Sequence, residues 1–217
     1  MVKMLKLKSR GEWLETRKSY IGGSDAACIV GMNPYSTNID LWERKTGRTV
    51  AADISDNPYV KYGTEAERYL RELFALDFPR FKVEYTENNI WLNSDFPFAH
   101  ASLDGWLTDQ HGRKGILEIK TTNIQNAAML QKWKDRIPDN YFCQVLHYLF
   151  VTGFDFAVLK AQLKWDFGED DVYCQVRHYF IERAEVEDDI GMLIEAEKTF
   201  CEYLVRDECP PLVLPNI

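Results

Sequence analysis

Gly115-Ile116-Leu117-Glu118-Ile119-Lys120 is an apolar run carrying one acid and one amine two positions apart. Side chains alternate across a strand, so Glu118 and Lys120 share one face while Leu117 and Ile119 share the other. Burying a carboxylate and an ammonium costs several kcal/mol per ion unless each is paired or ligates a metal. Asp104 lies fourteen positions before Glu118, in the preceding strand-like run, so two carboxylates and a lysine can converge. Such a trio can hold a hard cation through oxygen ligands, with the amine orienting a water or offsetting phosphate charge. A buried ion-pair network is the plain alternative.

Working outward from that strand, two more strand-like runs precede it, Phe81 to Leu92 and Ala99 to Thr108, with turn formers at Asn88-Asn89 and His111-Gly112. Helical patterns follow over 124–134 and 139–152, the second closed by Gly153. Phe156 to Trp165 and Val172 to Ile181 read as strands around an acidic Gly168-Glu169-Asp170-Asp171 turn, and an amphipathic helix covers Val186 to Val205. Toward the N-terminus, Tyr62, Ala66, Tyr69, Leu70, Leu73 and Phe74 recur at helical spacing between about Pro58 and Phe78. Ser9-Arg10-Gly11-Glu12 is an S-x-x-E capping box opening a helix through Arg17. After Ile21-Gly22-Gly23, Ser24 or Asp25 can cap a short helix ending at Gly31, and a further helix spans Ile39 to Lys45. The pattern predicts an α/β fold with a central mixed β-sheet flanked by helices.

The chain has 217 residues, 46% of them hydrophobic, enough for a substantial core. It reads as a single domain, 1–217. The segment Met1 to Lys8 lacks the apolar run of a signal peptide and no long apolar stretch follows, so no membrane association and a cytoplasmic location are expected. Cys28, Cys143, Cys174, Cys201 and Cys209 are odd in number and widely spaced, which speaks against a disulfide framework, a zinc site or a tight iron–sulfur cluster. The net charge of −8 is unevenly spread: residues 1–165 carry 22 basic and 20 acidic groups, and residues 166–217 carry 4 and 14. The body can therefore still present a locally positive groove.

Gly63-Thr64-Glu65-Ala66-Glu67 places acids on the long early helix, and Glu67 shares its stripe with Leu70 and Phe74, where a carboxylate wants a partner. Glu65 reads as solvated. Gln144 and Tyr148, four apart on a helix, offer an amide and a phenol to one neighbour. The four histidines are scattered and read as structural. Trp42, Trp91, Trp106 and Trp133 read as core or interface residues, with Trp106 close enough to Asp104 to line a groove.

In order, G-x-x-x-E, D, E-x-K and Q-x-x-x-Y resemble the PD-(D/E)XK nuclease superfamily, whose fold has a restriction-endonuclease-like core. Arg17, Ile21-Gly22-Gly23-Ser24-Asp25-Ala26-Ala27, Asn33-Pro34-Tyr35 and Leu41-Trp42 with Lys45-Thr46-Gly47 look like the YqaJ-type viral recombinase family, relatives of phage lambda exonuclease. The resemblance spans about residues 9 to 165 and divides the chain into an N-terminal helical DNA-end-binding segment (1–50), a catalytic core (51–165) and an acidic C-terminal strand and helix (166–217). It implies a 5′-to-3′ exonuclease that acts on double-stranded DNA ends during phage recombination, alongside a single-strand annealing protein, as a homotrimer. By position, Asp104, Glu118 and the backbone carbonyl of Ile119 would ligate Mg²⁺, for which Mn²⁺ can substitute, and Glu67 would hold a second ion or its waters. Lys120 would position the attacking water, Gln144 and Tyr148 would brace the site, and Arg17 with Ser24 would grip the 5′-phosphate. Without metal, three clustered carboxylates repel, so at least one should take up a proton. Leu103, where the family has proline, leaves the loop before Asp104 less constrained. A repair or restriction endonuclease of the same fold, and a non-catalytic DNA-binding or host-inhibiting protein, are the competing readings.

Overall fold

A computed structural model describes residues 1–50, 52–166 and 171–214. In chain order the elements are β1 (Val2–Lys6), α1 (Arg10–Lys18), β2 (Ile21–Gly22), α2 (Gly23–Ile29), α3 (Asn38–Lys45), α4 (Pro58–Asp77), β3 (Lys82–Glu84), β4 (Asn89–Asn93), β5 (Ala99–Ala101), β6 (Gly105–Thr108), β7 (Lys114–Asn123), α5 (Ala127–Gln131), α6 (Asp139–Thr152), β8 (Phe156–Asp166), β9 (Val172–Glu182) and α7 (Glu187–Arg206). The expected acidic turn falls largely on 167–170, outside the described residues.

The main sheet runs β3-β6-β7-β8-β9 and is mixed, because its β7–β8 pair is parallel while the other pairs are antiparallel. Its β7 strand separates two cores, as alternation requires. Leu117 and Ile119 pack with Leu70 and Phe74 of α4, while Ile116 faces Val145, Leu146 and Leu149 of α6. Helix α6 is buried from Cys143 to Thr152, its polar Gln144 and His147 included, and Gly153 ends it at φ 66°.

A second sheet, β1-β4-β5-β2, was not foreseen. The runs Phe81–Leu92 and Ala99–Thr108 each divide between the two sheets. The first breaks near Asn88, whose φ of 54° is left-handed, and the second at Asp104. Hydrophobic alternation continues through Asp104, so periodicity does not reveal that change of partner, whereas the polar Thr86-Glu87-Asn88-Asn89 interrupts it at the first break.

Capping follows chemistry with small shifts. Ser9 Oγ accepts from the Glu12 N–H (3.2 Å), and the Glu12 carboxylate reaches back to the Lys8 N–H (2.8 Å), one residue beyond the reciprocal box. Helix α2 begins earlier than Ser24, with Gly22 as its cap residue, and Asp25 Oδ2 accepts the Gly22 N–H at 3.0 Å. Asn57 caps α4 ahead of Pro58.

Candidate active site

Strand β6 pairs with β7 only as far as Gly105 opposite Leu117, so from Glu118 onward one edge of β7 is free of strand partners among the described residues. Asp104 sits at that divergence, and its Oδ2 accepts the Ile119 N–H at 2.8 Å. The N–H and C=O of one strand residue point to the same side, so the Ile119 carbonyl faces the same opening. Glu118 and Lys120 project toward α6. The Lys120 ammonium lies 2.7 Å from Glu118 Oε1, which also accepts from Gln144 Nε2 at 2.8 Å. Gln144 Nε2 donates as well to the Tyr148 hydroxyl (2.9 Å). The Glu118 Oε2 atom is buried without a hydrogen-bond partner among the described residues.

These groups border one cleft of about 800 Å³, whose walls include Arg17, Glu67, Asp104, Glu118, Lys120, Gln144 and Tyr148. Nearly every residue singled out in the sequence thus meets here. Ser24 does not line the cleft; it stands exposed in the first turn of α2. The tryptophan at the cleft is Trp13, whereas Trp106 packs edge-on against Trp91 (5.3 Å between ring centroids).

Burial and the neighbouring acids govern protonation. Burial, reinforced by the Asp104 charge, pushes Glu118 up to about 8. The same two causes raise Glu67 to about 7. Burial also raises Asp104, partly offset by Lys120 and the Ile119 N–H. For Lys120, burial acts downward but the Glu118 and Asp104 charges outweigh it and hold the ammonium above its ordinary value. Burial and crowding thus both favour the protonated form of these acids when no cation is bound.

Among the described residues no three His, Cys, Asp or Glu side chains are gathered so as to hold a metal ion by themselves. Two carboxylates and a backbone carbonyl nevertheless fit a hard cation that keeps several of its waters, as Mg²⁺ does. The unpartnered Glu118 Oε2 supports the fit, because a buried carboxylate oxygen with no donor must hold either a proton or a cation.

Three supporting residues were not foreseen. Asn89, buried with 2% exposure, accepts the Leu103 N–H on Oδ1 (2.9 Å) and donates from Nδ2 to the Leu103 carbonyl (2.9 Å). Leu103 does not leave the loop loose, since this side-chain amide pins the residue before Asp104 on both sides. Trp13 Nε1 donates to Ser102 Oγ (3.0 Å) and carries Arg17 over its ring at 4.2 Å, tying α1 to the same loop. Arg71 is the partner Glu67 required: its Nη1 donates to Glu67 (2.9 Å) and to the Asp104 carbonyl (2.5 Å). Only Arg71, four residues after Glu67 on one helix, left a trace in the sequence.

Gly23 explains one motif. A Cβ there would stand 2.5 Å from a Tyr148 ring carbon and 2.9 Å from Gln144 Cγ, so only glycine lets α2 press against the brace.

The YqaJ-like viral recombinase domain matches residues 12–155, a stretch that contains the whole constellation. The chain belongs to that family. Over 146 residues it is 36% identical to the uncharacterized protein YqaJ of Bacillus subtilis (strain 168), covering 67% of this chain and 43% of that protein, so it spans less than half the length of this relative. Among solved structures, the alkaline exonuclease LHK-Exo of Laribacter hongkongensis superposes with a TM-score of 0.58 at 20% identity, covering 91% of this chain and 97% of that one. A complex of LHK-Exo with dAMP gives 0.59 at 18%, with the same coverage. A phage related exonuclease from Haemophilus somnus 129PT gives 0.56 at 16%, over 87% and 96% of the two chains. The PD-(D/E)XK-like fold of this family member is thus shared with exonucleases. No helix among its described residues is long and apolar enough to cross a membrane.

Proposed function

We propose that this family member is a Mg²⁺-dependent 5′-to-3′ exonuclease that degrades one strand of duplex DNA from its ends, leaving 3′ single strands for annealing-type recombination. The observation that carries the reading is the free β7 edge, where Asp104, Glu118 and Lys120 meet in an open cleft. Asp104, Glu118 and the Ile119 carbonyl would hold Mg²⁺ or Mn²⁺, and Glu67 a second ion or its waters. When bound, the ion supplies an acidified water and neutralises charge on the phosphate. Lys120, held charged by its acids, orients that water and steadies the scissile phosphate. Gln144 fixes the Glu118 rotamer by bonding Oε1, which leaves Oε2 as the free ligand atom. Tyr148, shielded between Gln144 and Gly23, keeps that amide in register.

At the outer wall, Arg17 offers a guanidinium fork to a 5′-phosphate. The part assigned to Ser24 rests on family resemblance alone, because it stands outside the cleft lining. The annealing protein, the homotrimer and action in the cytoplasm of a bacterial host come from the same resemblance. Exposed Tyr69, Leu73 and Leu76 on α4, with Val176 and Phe180 on β9, provide apolar surface suited to self-association.

The test is digestion of a linear duplex bearing one 5′-phosphate and one 5′-hydroxyl end, beside a closed circular duplex, with Mg²⁺ or EDTA. The expected result is Mg²⁺-dependent loss of the phosphorylated strand and an intact circle. A cut circle would favour an endonuclease, and an intact linear duplex a non-catalytic protein.

A further inference from the structure

Beyond the catalytic cleft, β7 continues through Thr121, Thr122 and Asn123, and a second cavity of about 220 Å³ opens beside them under the first turns of α4. The two cavities share Tyr59 and Thr121, so they adjoin at that point. Gly63 borders the cleft there, and a Cβ on it would stand 3.0 Å from Thr121 Oγ1. The residue thus keeps helix and strand close without closing the way between the cavities.

The second cavity has the chemistry of a base-binding slot. Tyr59 and Tyr62 supply two aromatic rings, 56% and 36% exposed. Lys164 Nζ lies 4.2 Å over the Tyr62 ring, placing a positive charge at the wall. Asn123 lines the wall opposite the rings. Register explains the grouping. Thr121 pairs with Gln162 and Asn123 with Lys164 in the parallel β7–β8 ladder, so all four share the α4 face. The Tyr62 hydroxyl donates to Gln162 Oε1 at 2.8 Å, which fixes its ring over that row.

We infer that this cavity is a nucleotide subsite, in which a single unpaired DNA base next to the cut stacks on the Tyr59 and Tyr62 rings while Lys164 meets the adjoining phosphate. Aromatic stacking tolerates any base because each has a π-face, which suits an enzyme that must follow whatever sequence it meets. The subsite rests on the exonuclease reading for its place beside the cut, but its occupancy can be measured without turnover.

The probe is a 5′-phosphorylated single-stranded oligonucleotide carrying 2-aminopurine at successive positions from the 5′ end, titrated into the full-length protein in EDTA. Quenching should peak at one position. Tyr62→Leu should abolish that peak and weaken binding about tenfold, Tyr62→Phe should keep it, and Lys164→Gln should weaken binding less. An abasic nucleotide at the peak position should cost the parent about the same tenfold and cost Tyr62→Leu nothing further, since neighbouring terms couple. Uniform quenching at all positions, no quenching at any, or an abasic penalty unchanged by Tyr62→Leu would overturn the subsite. If the peak is found while linear duplex stays undigested, the subsite stands and the exonuclease reading fails; if duplex is digested and no peak is found, the exonuclease reading stands and the subsite fails.

Discussion

Helix α6 touches two buried carboxylate–base pairs that pose the same physical problem. On one side its Gln144 donates to Glu118, which pairs with Lys120; on the other its His147 Nδ1 meets Glu197 Oε1 at 2.8 Å, with both side chains at 0% exposure. In each pair one carboxylate oxygen lacks a hydrogen-bond partner among the described residues, and burial raises the acid. Their surroundings differ. The His147 ring is sealed among helices, its Nε2 held by the His100 carbonyl at 2.9 Å, while Glu118 borders a cleft with two further acids. A sealed pair holds helices together; an open pair, crowded by like charges, is poised for a cation. Buried charge by itself therefore does not mark a site, but buried charge beside an opening does.

The comparison breaks most directly by exchanging the damage. Glu118→Gln should lower duplex digestion by roughly 10³-fold or more, because it removes an anionic ligand of the proposed ion. Its thermal midpoint should hold or rise at pH 8, since the buried charge is gone. Glu197→Leu should do the opposite: denaturant titration should show a loss of about 3–5 kcal/mol from stranding His147, with digestion per folded molecule unchanged. If Glu197→Leu silenced digestion in a protein still folded, the sealed pair would belong to the site.

Both pairs raise their acids, so they should part company only in whether an added ion changes the pH response. Acids whose folded pKa exceeds the unfolded value bind more protons when folded, so stability falls as pH rises across that interval. For Glu118 the interval runs from 4.5 to about 8 and for Glu67 from 4.5 to about 7. Lys120, raised above 10.5, stays charged throughout and does not reverse the slope. In EDTA the thermal midpoint should drop between pH 5 and pH 8.5, and Mg²⁺ should restore it. Because the ion must displace those protons, its apparent affinity should rise roughly 10- to 100-fold from pH 6 to pH 8.5. Calorimetry in two buffers of different ionisation heat would register the proton release, and its absence would remove the acids from the ion's site.

Asn89 sharpens the comparison from the backbone side. Asn89→Ala frees both Leu103 bonds, and leaving those groups unpaired should cost about 2–3 kcal/mol. With the Asp104 loop released, digestion should slow about tenfold through misplacement of one ligand. A proline at Leu103 removes the N–H that Asn89 holds in the parent, so Leu103→Pro alone should cost stability but should recover part of the loss in Asn89→Ala, where that N–H is unpaired.

How much of this was legible in the sequence depends on whether the information was local. Strand β7 was plain, because alternation puts Glu118 and Lys120 together whatever surrounds them, and α6 and α4 were plain from their periodicity. The two-sheet division was hidden because alternation runs on through Asp104, while the polar break at Asn88 reads equally well as a turn within one sheet. Strand β1 escaped because five residues, mostly exposed, carry too little pattern to separate from a tail. The meeting of Asp104, Glu67 and Arg17 was read through family resemblance rather than geometry. Asn89 and Trp13 act across 14 and 89 positions of chain, where no local rule reaches.

Arg17 gives the finest test of the open region. Its guanidinium packs over Trp13, and Trp13 in turn bonds Ser102 beside the Asp104 loop. Arg17→Lys keeps the charge but loses the planar fork and much of the stacking, which is worth about 0.5–1 kcal/mol at an exposed ring. Stability should therefore change by no more than about that amount, and digestion of long duplex under saturating DNA should be nearly unaltered. What should change is discrimination: the preference for a 5′-phosphate over a 5′-hydroxyl end should fall several-fold, because a point charge attracts phosphate without matching its shape. If the preference survives Arg17→Lys but falls in Ser24→Ala, the end-recognition group lies outside the cleft, on the exposed turn of α2. If it survives both, another group reads the 5′-phosphate, and the Trp13–Arg17 wall serves only to anchor the Asp104 loop.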